Sequence, residues 1–432
     1  HILLPPVWGF GIPRPMNTKE ETNKTITEAL SDWIRGVFSE QFGADIDLSG
    51  VGVVQAANPQ FGDYQCNAAM SLAKVLKRPP RAVSEQVVAN APSHPAVDRL
   101  EIAGPGFINI YLSDAWLLQT VSAIDQDSQL GVPRSGAGHT VVVDYSSPNV
   151  AKPMHIGHIR STIIGNSIDR LHRLLGYNVI ADNHIGDWGT QFGIIMMGYR
   201  HFLDKAALAR RPVEELERVY VKSYEKSRED ENWLTQCREE LVKLQSGDPE
   251  NTALWREFIG LSLSEFDRIY KRLGVSFDLV RGESFYNDKL ADTVALLEEK
   301  GMAEESEGAT VVFLEEEKLP VCIVKKSDGG FNYATTDIAT VASRVEEFRP
   351  DKIVYVTDER QQLHFKQFFT ICRKLGCETE LNHVWFGLMR LPEATFSTRQ
   401  GNVIKLEALL DEAEQRAFDI VSASSPEMSE DD

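Results

Sequence analysis

Residues 141–162 read VVVDYSSPNVAKPMHIGHIRST. Val141, Val142 and Val143 are consecutive β-branched residues, the composition of a strand buried on both faces of a parallel sheet. Small polar residues and Pro148 break the run between Asp144 and Asn149, and Pro153 biases Lys152 away from helical geometry. From His155 onward Ile156, Ile159, Ile163 and Ile164 recur at helical spacing, which predicts a helix running to residue 175. A strand, a polar loop and a helix N-terminus make a place where backbone N–H groups and the helix dipole attract phosphate. His155 and His158 lie three apart on the first helical turn with Gly157 between them. Two imidazoles there can donate hydrogen bonds to phosphate oxygens as charge builds up in a transition state. Gly157 lets a flat ring or sugar come close to the backbone. A solvent-facing His pair on an ordinary helix also accounts for a bare H-x-x-H. Zinc is a third reading, without acidic or Cys partners at ligand spacing nearby.

Outward from this stretch the pattern alternates. Strands are predicted over 141–145 and 177–184 and helices over 157–175 and 188–203, followed by a charged helical insertion over about 204–273. The sheet pattern resumes at Val275, a hairpin is expected over 311–324, and helix 335–347, strand 352–357, helix 361–375 and strand 383–389 follow. Alternation with short loops predicts right-handed βαβ units and an α/β, Rossmann-like, doubly wound parallel sheet, here assigned to residues 140–403. A ligand of such a sheet sits beyond the carboxyl ends of its strands, which is where the 155–158 turn falls.

Ahead of this domain, residues 1–16 are an irregular, Pro- and Gly-rich extension lacking the features of a secretory signal, and Met16 is a candidate natural start. Residues 17–125 are expected to form a small α+β domain with helices over 25–42, 67–76 and 82–89 and a strand over 107–112. Its segment KVLKRPPR carries Lys74, Lys77, Arg78 and Arg81 without acidic residues among them, either a solvated helix end or a track for an RNA backbone. Residues 126–139 read as a linker, and 404–432 as a helix with a frayed acidic tail.

The chain has 432 residues and a net charge of −19, which at first argues against nucleic acid. The acid is unevenly spread: residues 201–432 carry 30 Lys and Arg against 46 Asp and Glu, whereas 136–200 carry 5 against 4. A locally basic surface therefore remains open near the proposed site. No stretch approaches the ~20 apolar residues of a membrane span. Five cysteines at irregular spacing point to a reducing compartment, and Cys372 and Cys377 are too isolated from other ligands to suggest zinc.

His155-Ile156-Gly157-His158 after a strand and a proline resembles the HIGH motif of class I aminoacyl-tRNA synthetases. The longer string SSPNVAKPMHIGHIRST, together with DNHIGDWGTQFG at 182–193, resembles the arginyl-tRNA synthetases, and the likeness covers roughly residues 25–425. That resemblance implies activation of L-arginine with ATP and Mg2+, transfer to the terminal adenosine of tRNA(Arg), no zinc, no membrane, and a cytoplasmic monomer. It gives His155, Gly157 and His158 to ATP. The second phosphate loop of the superfamily, KMSKS, is matched by 396–402, where Ser397, Thr398 and Arg399 stand without a lysine pair, so Lys152 would supply the missing charge. Lys152 also reads as a solvated loop lysine. Asp144, Tyr333 and Asp337 match the residues that hold the guanidinium, and Asn149 and Gln361 those that hold the backbone amine and carboxylate. Taken alone, Asp337 is an early-turn helix charge favoured by the dipole, and Trp188 reads as core. Asp187, between glycines at a strand end, is harder to account for structurally. GPGFIN at 104–109 and NPQFGDYQCNAAM at 58–70 resemble the family's tRNA-elbow-binding domain. The family continues into an all-helical anticodon-binding domain, so the chain is expected to be a fragment or a shortened relative. Rival readings are a non-catalytic relative that binds arginine or RNA, and another class I synthetase. The latter is opposed by the missing zinc ligands and by two carboxylates suited to a cation.

Overall fold

The computed structural model describes residues 25–43, 45–387 and 405–425. Within them two compact units form, one from residues 25–137 and 174–176, the other from 138–173 and 177–425.

The smaller unit opens with α1 (Ile26–Phe42), started by a capping box in which the Thr25 hydroxyl and Glu28 carboxylate satisfy each other's backbone N–H. Then come β1 (Val53–Gln55), β2 (Tyr64–Cys66), α2 (Ala68–Leu76), α3 (Pro80–Asn90), β3 (Val97–Ala103), β4 (Phe107–Leu112) and α4 (Asp114–Gln126). The strands form an antiparallel sheet in the order β1-β2-β4-β3. Leu30, Ile34 and Phe38 of α1 and Val83 and Val87 of α3 pack with Ile108 and Ile110 into its core. Of the four strands only β4 is legible from alternation. β1 and β2 have three residues each, and β3 has no fully buried residue and exposes Asp98, Arg99 and Glu101, with Arg99 stacked over Tyr111.

The larger unit holds β5 (Thr140–Asp144), α5 (Ile156–Leu174), β6 (Asn178–Asn183) and α6 (Gln191–Phe202). The helical insertion comprises α7 (Lys205–Arg210), α8 (Pro212–Glu229), α9 (Glu231–Gln245) and α10 (Pro249–Leu273). There follow β7 (Leu279–Val280), α11 (Leu290–Glu299), β8 (Ala303–Ser306), β9 (Ala309–Val312), β10 (Cys322–Lys325), α12 (Tyr333–Phe348), β11 (Lys352–Asp358), α13 (Gln362–Lys374), β12 (Glu380–Phe386) and α14 (Leu406–Ser424). The five-stranded sheet is parallel throughout, in the order β12-β11-β5-β6-β7. The chain starts in the centre, winds to one edge and returns to the other, so the switch point lies between β5 and β11, where ligands of such sheets bind. Val141, Val142 and Val143 are all fully buried, as a central strand covered on both faces requires.

Three departures from the sequence reading have local causes. The strand expected from Val275 is only Leu279–Val280, because the Asp278 carboxylate takes the Ala181 N–H at 2.8 Å in place of a strand carbonyl. The last strand begins at Glu380 rather than 383, set by pairing along β11 from Lys352↔Glu380 and an ion pair of 3.2 Å between those side chains. The hairpin over 311–324 gains β8, whose AEES sequence carries no apolar alternation.

Candidate active site

The loop from β5 to α5 is stapled on three sides. The Ser146 N–H donates to Ser161 Oγ of α5 at 2.9 Å, the Ser147 N–H to Asn183 Oδ1 of β6 at 3.1 Å, and the Ala151 N–H to Ser262 Oγ of α10 at 2.9 Å. These contacts hold Ser146, Ser147 and Ala151 at φ of 72°, 48° and 62°, left-handed backbone that non-glycine residues seldom adopt. The loop is thus fixed before any ligand arrives.

At its end the His155 and His158 rings stack, centroids 3.8 Å apart and planes 22° from parallel. The His155 N–H donates to His158 Nδ1 at 3.0 Å, and the Gly157 N–H donates to His155 Nδ1 at 3.1 Å. Burial, with the nearby Lys152 and Arg360 cations adding to it, lowers His155 to about 4. Burial and His155 hold His158 well below the ordinary imidazole range. Both rings are therefore neutral at pH 7, and since Nδ1 accepts in each, the proton sits on Nε2. The turn presents two Nε2–H donors. A Cβ at Gly157 would lie 2.8 Å from His155 Cε1, so the glycine is needed for the ring that folds back over it.

Lys152, on the same loop, lies with Nζ 4.7 Å from the centroid of the Tyr220 ring in α8. Arg360, just past β11, is a cation the sequence reading missed; its guanidinium holds Asp358 through Nε at 3.0 Å. Ser397, Thr398 and Arg399 lie outside the described residues.

A second cluster is made of carboxylates. Asp337, at the start of the second turn of α12, accepts from His364 Nε2 of α13 at 2.5 Å. Tyr333, the first residue of that helix, is 67% exposed one turn earlier, on the same face. Glu283, absent from the sequence reading, joins them: burial, then Asp337 and Asp187, push its carboxyl up to about 8. No cation acts on Glu283 among the described residues. Asp187 of the 182–193 string explains its own presence. Its carboxylate accepts from the Ser284 N–H at 2.8 Å and the Ser284 hydroxyl at 2.6 Å, pinning the turn that carries Glu283. A Cβ at Gly282 would fall 2.1 Å from Asp187 Cγ, so a glycine must precede Glu283. The signal for Glu283 is its place just past the carboxyl end of β7, which a strand expected from Val275 obscures.

Asp144 is placed differently from the other carboxylates. It was expected to face a guanidinium substrate, but it already holds one from the chain: Arg344 Nη2 of α12 donates to Asp144 Oδ2 at 2.6 Å and to Asp182 Oδ2 at 2.8 Å. Arg344 is fully buried, and the Ser147 hydroxyl takes the other Asp144 oxygen at 3.1 Å. Asn149 and Gln361 are exposed, the first bridging to Gly186 beyond β6, the second beyond the end of β11.

In the smaller unit Lys74, Lys77, Arg78 and Arg81 are exposed around the α2–α3 turn, with Lys77 capping α2 at a φ of 51°. Arg81 is not without an acidic partner: its Nε lies 3.2 Å from Glu85 Oε1, one helical turn on. Arg78 donates to Gln86.

A doubly wound parallel sheet with a HIGH turn at its switch point defines the catalytic domain of a class I tRNA synthetase. Comparison with known proteins agrees. The model of the "tRNA synthetases class I (R), catalytic domain" matches residues 119–432, and that of the "Arginyl tRNA synthetase N terminal domain" matches 20–112. An arginine–tRNA ligase of Fusobacterium nucleatum is 48% identical over 411 residues, spanning 95% of this chain and 71% of that protein. The arginine–tRNA ligase of Chromobacterium violaceum is 45% identical over 92% of this chain and 72% of its own length. Among solved structures, the arginyl-tRNA synthetase of Plasmodium falciparum superposes with a TM-score of 0.74 at 28% identity, covering 94% of this chain and 70% of that one. The Thermus thermophilus arginyl-tRNA synthetase shares the fold, with a TM-score of 0.72 at 21% identity. The chain belongs to the arginyl-tRNA synthetase family.

Proposed function

We propose that the protein is an arginine–tRNA ligase that converts L-arginine and ATP to arginyl-adenylate and pyrophosphate, then passes the arginyl group to the 2′-hydroxyl of the terminal adenosine of tRNA(Arg). The observation that carries this is the pairing of two unlike ends along one sheet edge: neutral imidazole donors at 155–158, and the carboxyl groups of Asp337 and Glu283 gathered close enough to raise Glu283.

In this reading the arginine carboxylate attacks the α-phosphorus of ATP and pyrophosphate leaves. No side chain need act as nucleophile, so catalysis is alignment of the two substrates plus stabilisation of the charge that develops on the phosphates. His155 and His158 donate from Nε2 to phosphate oxygens, and Lys152 and Arg399 balance the leaving charge, with Ser397 and Thr398 beside Arg399. Magnesium would accompany ATP and add positive charge against its phosphates. Asp337 and Glu283 form the carboxylate fork for the guanidinium, with Tyr333 as the planar face against it. Asp144 already pairs with Arg344 at 2.6 Å, which favours Asp337 and Glu283 over it as the fork. Asn149 and Gln361 take the α-amine and α-carboxylate. Lys74, Lys77 and Arg78 are the cations of the smaller unit best placed to meet an RNA backbone.

The test is arginine-dependent exchange of pyrophosphate into ATP, run with and without tRNA(Arg). Exchange that requires arginine supports the reading. Tight arginine binding without exchange under either condition would favour a relative that binds the amino acid without activating it.

A further inference from the structure

Helix α8 belongs to the insertion, not to the doubly wound core, yet it presents a stripe of residues at one-turn spacing to the two lysines beside the HIGH turn. Glu214 Oε1 lies 2.9 Å from Lys405 Nζ, and the Tyr220 ring lies under Lys152 Nζ at 4.7 Å. Glu217, midway between them on the same face, acts on both cations, and its carboxyl is raised by burial in spite of them. Lys405 in turn bridges the backbone of His155, and the Leu406 N–H donates to the Met154 carbonyl at 2.9 Å. The stripe is rigidly backed. Leu216, Val219 and Tyr220 share one buried cluster with Val150 and Ala151 of the loop and with Phe192, Ile195 and Phe258. A Cβ at Gly198 of α6 would sit 2.3 Å from the Val219 carbonyl, so α8 lies as close to α6 as backbone permits.

We infer that Tyr220 and Glu217 are positioning residues that hold the Lys152 ammonium in register with the His155–His158 turn, making α8 of the insertion part of the phosphate-handling machinery. This rests on the reading of Lys152 as a phosphate ligand. A loop lysine with several rotatable bonds loses most of its value as a preorganised charge unless something fixes it. A π face beneath the ammonium orients it while leaving its charge available to a phosphate, and Glu217 adds its field from the same helix.

The experiment is a set of mutant cycles read by arginine-dependent pyrophosphate exchange. Lys152→Ala tests the underlying reading alone: a rate within threefold of wild type would remove Lys152 from the phosphates, and the inference with it. Given a larger loss, Tyr220→Leu is expected to lower kcat about tenfold, the scale of a partly desolvated cation–π contact. The KM for arginine should stay within twofold, and Tyr220→Phe, which keeps the ring face, should recover wild-type kcat within twofold. The double variant Lys152→Ala/Tyr220→Leu is expected to be no slower than Lys152→Ala, since Tyr220 acts through the lysine. Glu217→Gln, isosteric and therefore insensitive to packing, is expected to cost about threefold in wild type and nothing in the Lys152→Ala background. It decides the matter if Tyr220→Leu does not fold. Equal losses in Phe and Leu variants, or losses by Tyr220 or Glu217 variants that persist undiminished without Lys152, would overturn the inference and leave α8 a purely structural helix.

Discussion

The proposed phosphate end and the proposed guanidinium end of the site use burial in opposite senses. Around 155–158, burial strips charge from groups that would otherwise be partly cationic: His155 is lowered to about 4, so the pair offers hydrogen bonds without titrating near neutrality. Around Glu283 and Asp337, burial and like charge raise a carboxyl to about 8, so the free site holds a proton where the bound site must hold an anion. Under the proposed function the first end is preorganised for the reaction, and the second is set to exchange one cation, a proton, for another, the guanidinium. Solvation of the two residue types differs in sign, so one physical environment yields a pH-indifferent donor pair and a pH-sensitive receptor.

Four measurements sharpen or break that contrast. The largest effect is expected from Asp337→Asn, which preserves shape and removes the charge next to His364. Losing one side of a buried charge-assisted pair typically costs ~3–5 kcal/mol, so calorimetric titration should show arginine binding collapse while ATP binding persists. Equal weakening of both ligands would mean that Asp337 supports the fold and not the substrate.

Next in size is His158→Ala. Removing one preorganised donor to a developing charge slows chemistry by ~10²–10³, so pyrophosphate exchange should drop on that scale with arginine binding nearly unchanged. A rate within threefold of wild type is incompatible with the role assigned to the turn.

The third concerns pH. Below about 8 the Glu283 carboxyl is protonated in the free enzyme and must lose its proton to receive a guanidinium. The dissociation constant for arginine should therefore fall by up to about tenfold per unit as pH rises toward 8, then level off. Titrations in buffers of different ionisation enthalpy should register release of a proton on binding. Glu283→Gln should bind weakly and without that slope; a slope that survives the substitution would place the titrating group elsewhere.

The smallest effect is on stability. The folded-state value of Glu283 lies above its unfolded value, so the unfolded chain binds fewer protons between roughly pH 4.3 and 8. Stability from the protonated form is complete below that window and is lost as pH rises through it. Glu283→Gln should accordingly melt above wild type at pH 8, with the gap shrinking toward pH 5. A gap that does not change with pH would reflect packing alone.

Much of this architecture is legible in local pattern. Three consecutive valines announce a strand covered on both faces, and all three are fully buried in the centre of the sheet. The isoleucine spacing announces the helix after the HIGH turn, and strand–helix alternation announces the parallel winding, because these signals depend only on neighbours in sequence. Ala68–Leu76 and Phe107–Leu112 emerge within a residue of their expected limits for the same reason. Short motifs point to His155, His158 and Asp337, and each lies at or near the start of a helix, α5 or α12.

What the sequence alone could not decide is which charges are already taken. Asp144 and Arg344 are two hundred residues apart, and nothing local marks a mid-helix arginine as the partner that closes off a strand-end carboxylate. Glu283 becomes a substrate ligand candidate only because Asp187, almost a hundred residues earlier, pins its turn beside Asp337. Lys152 meets Tyr220 only because an insertion packs on the loop. Backbone periodicity is a property of neighbours along the chain, whereas the state of an ionisable group is set by whatever the fold brings within a few ångströms of it, and that is decided in three dimensions.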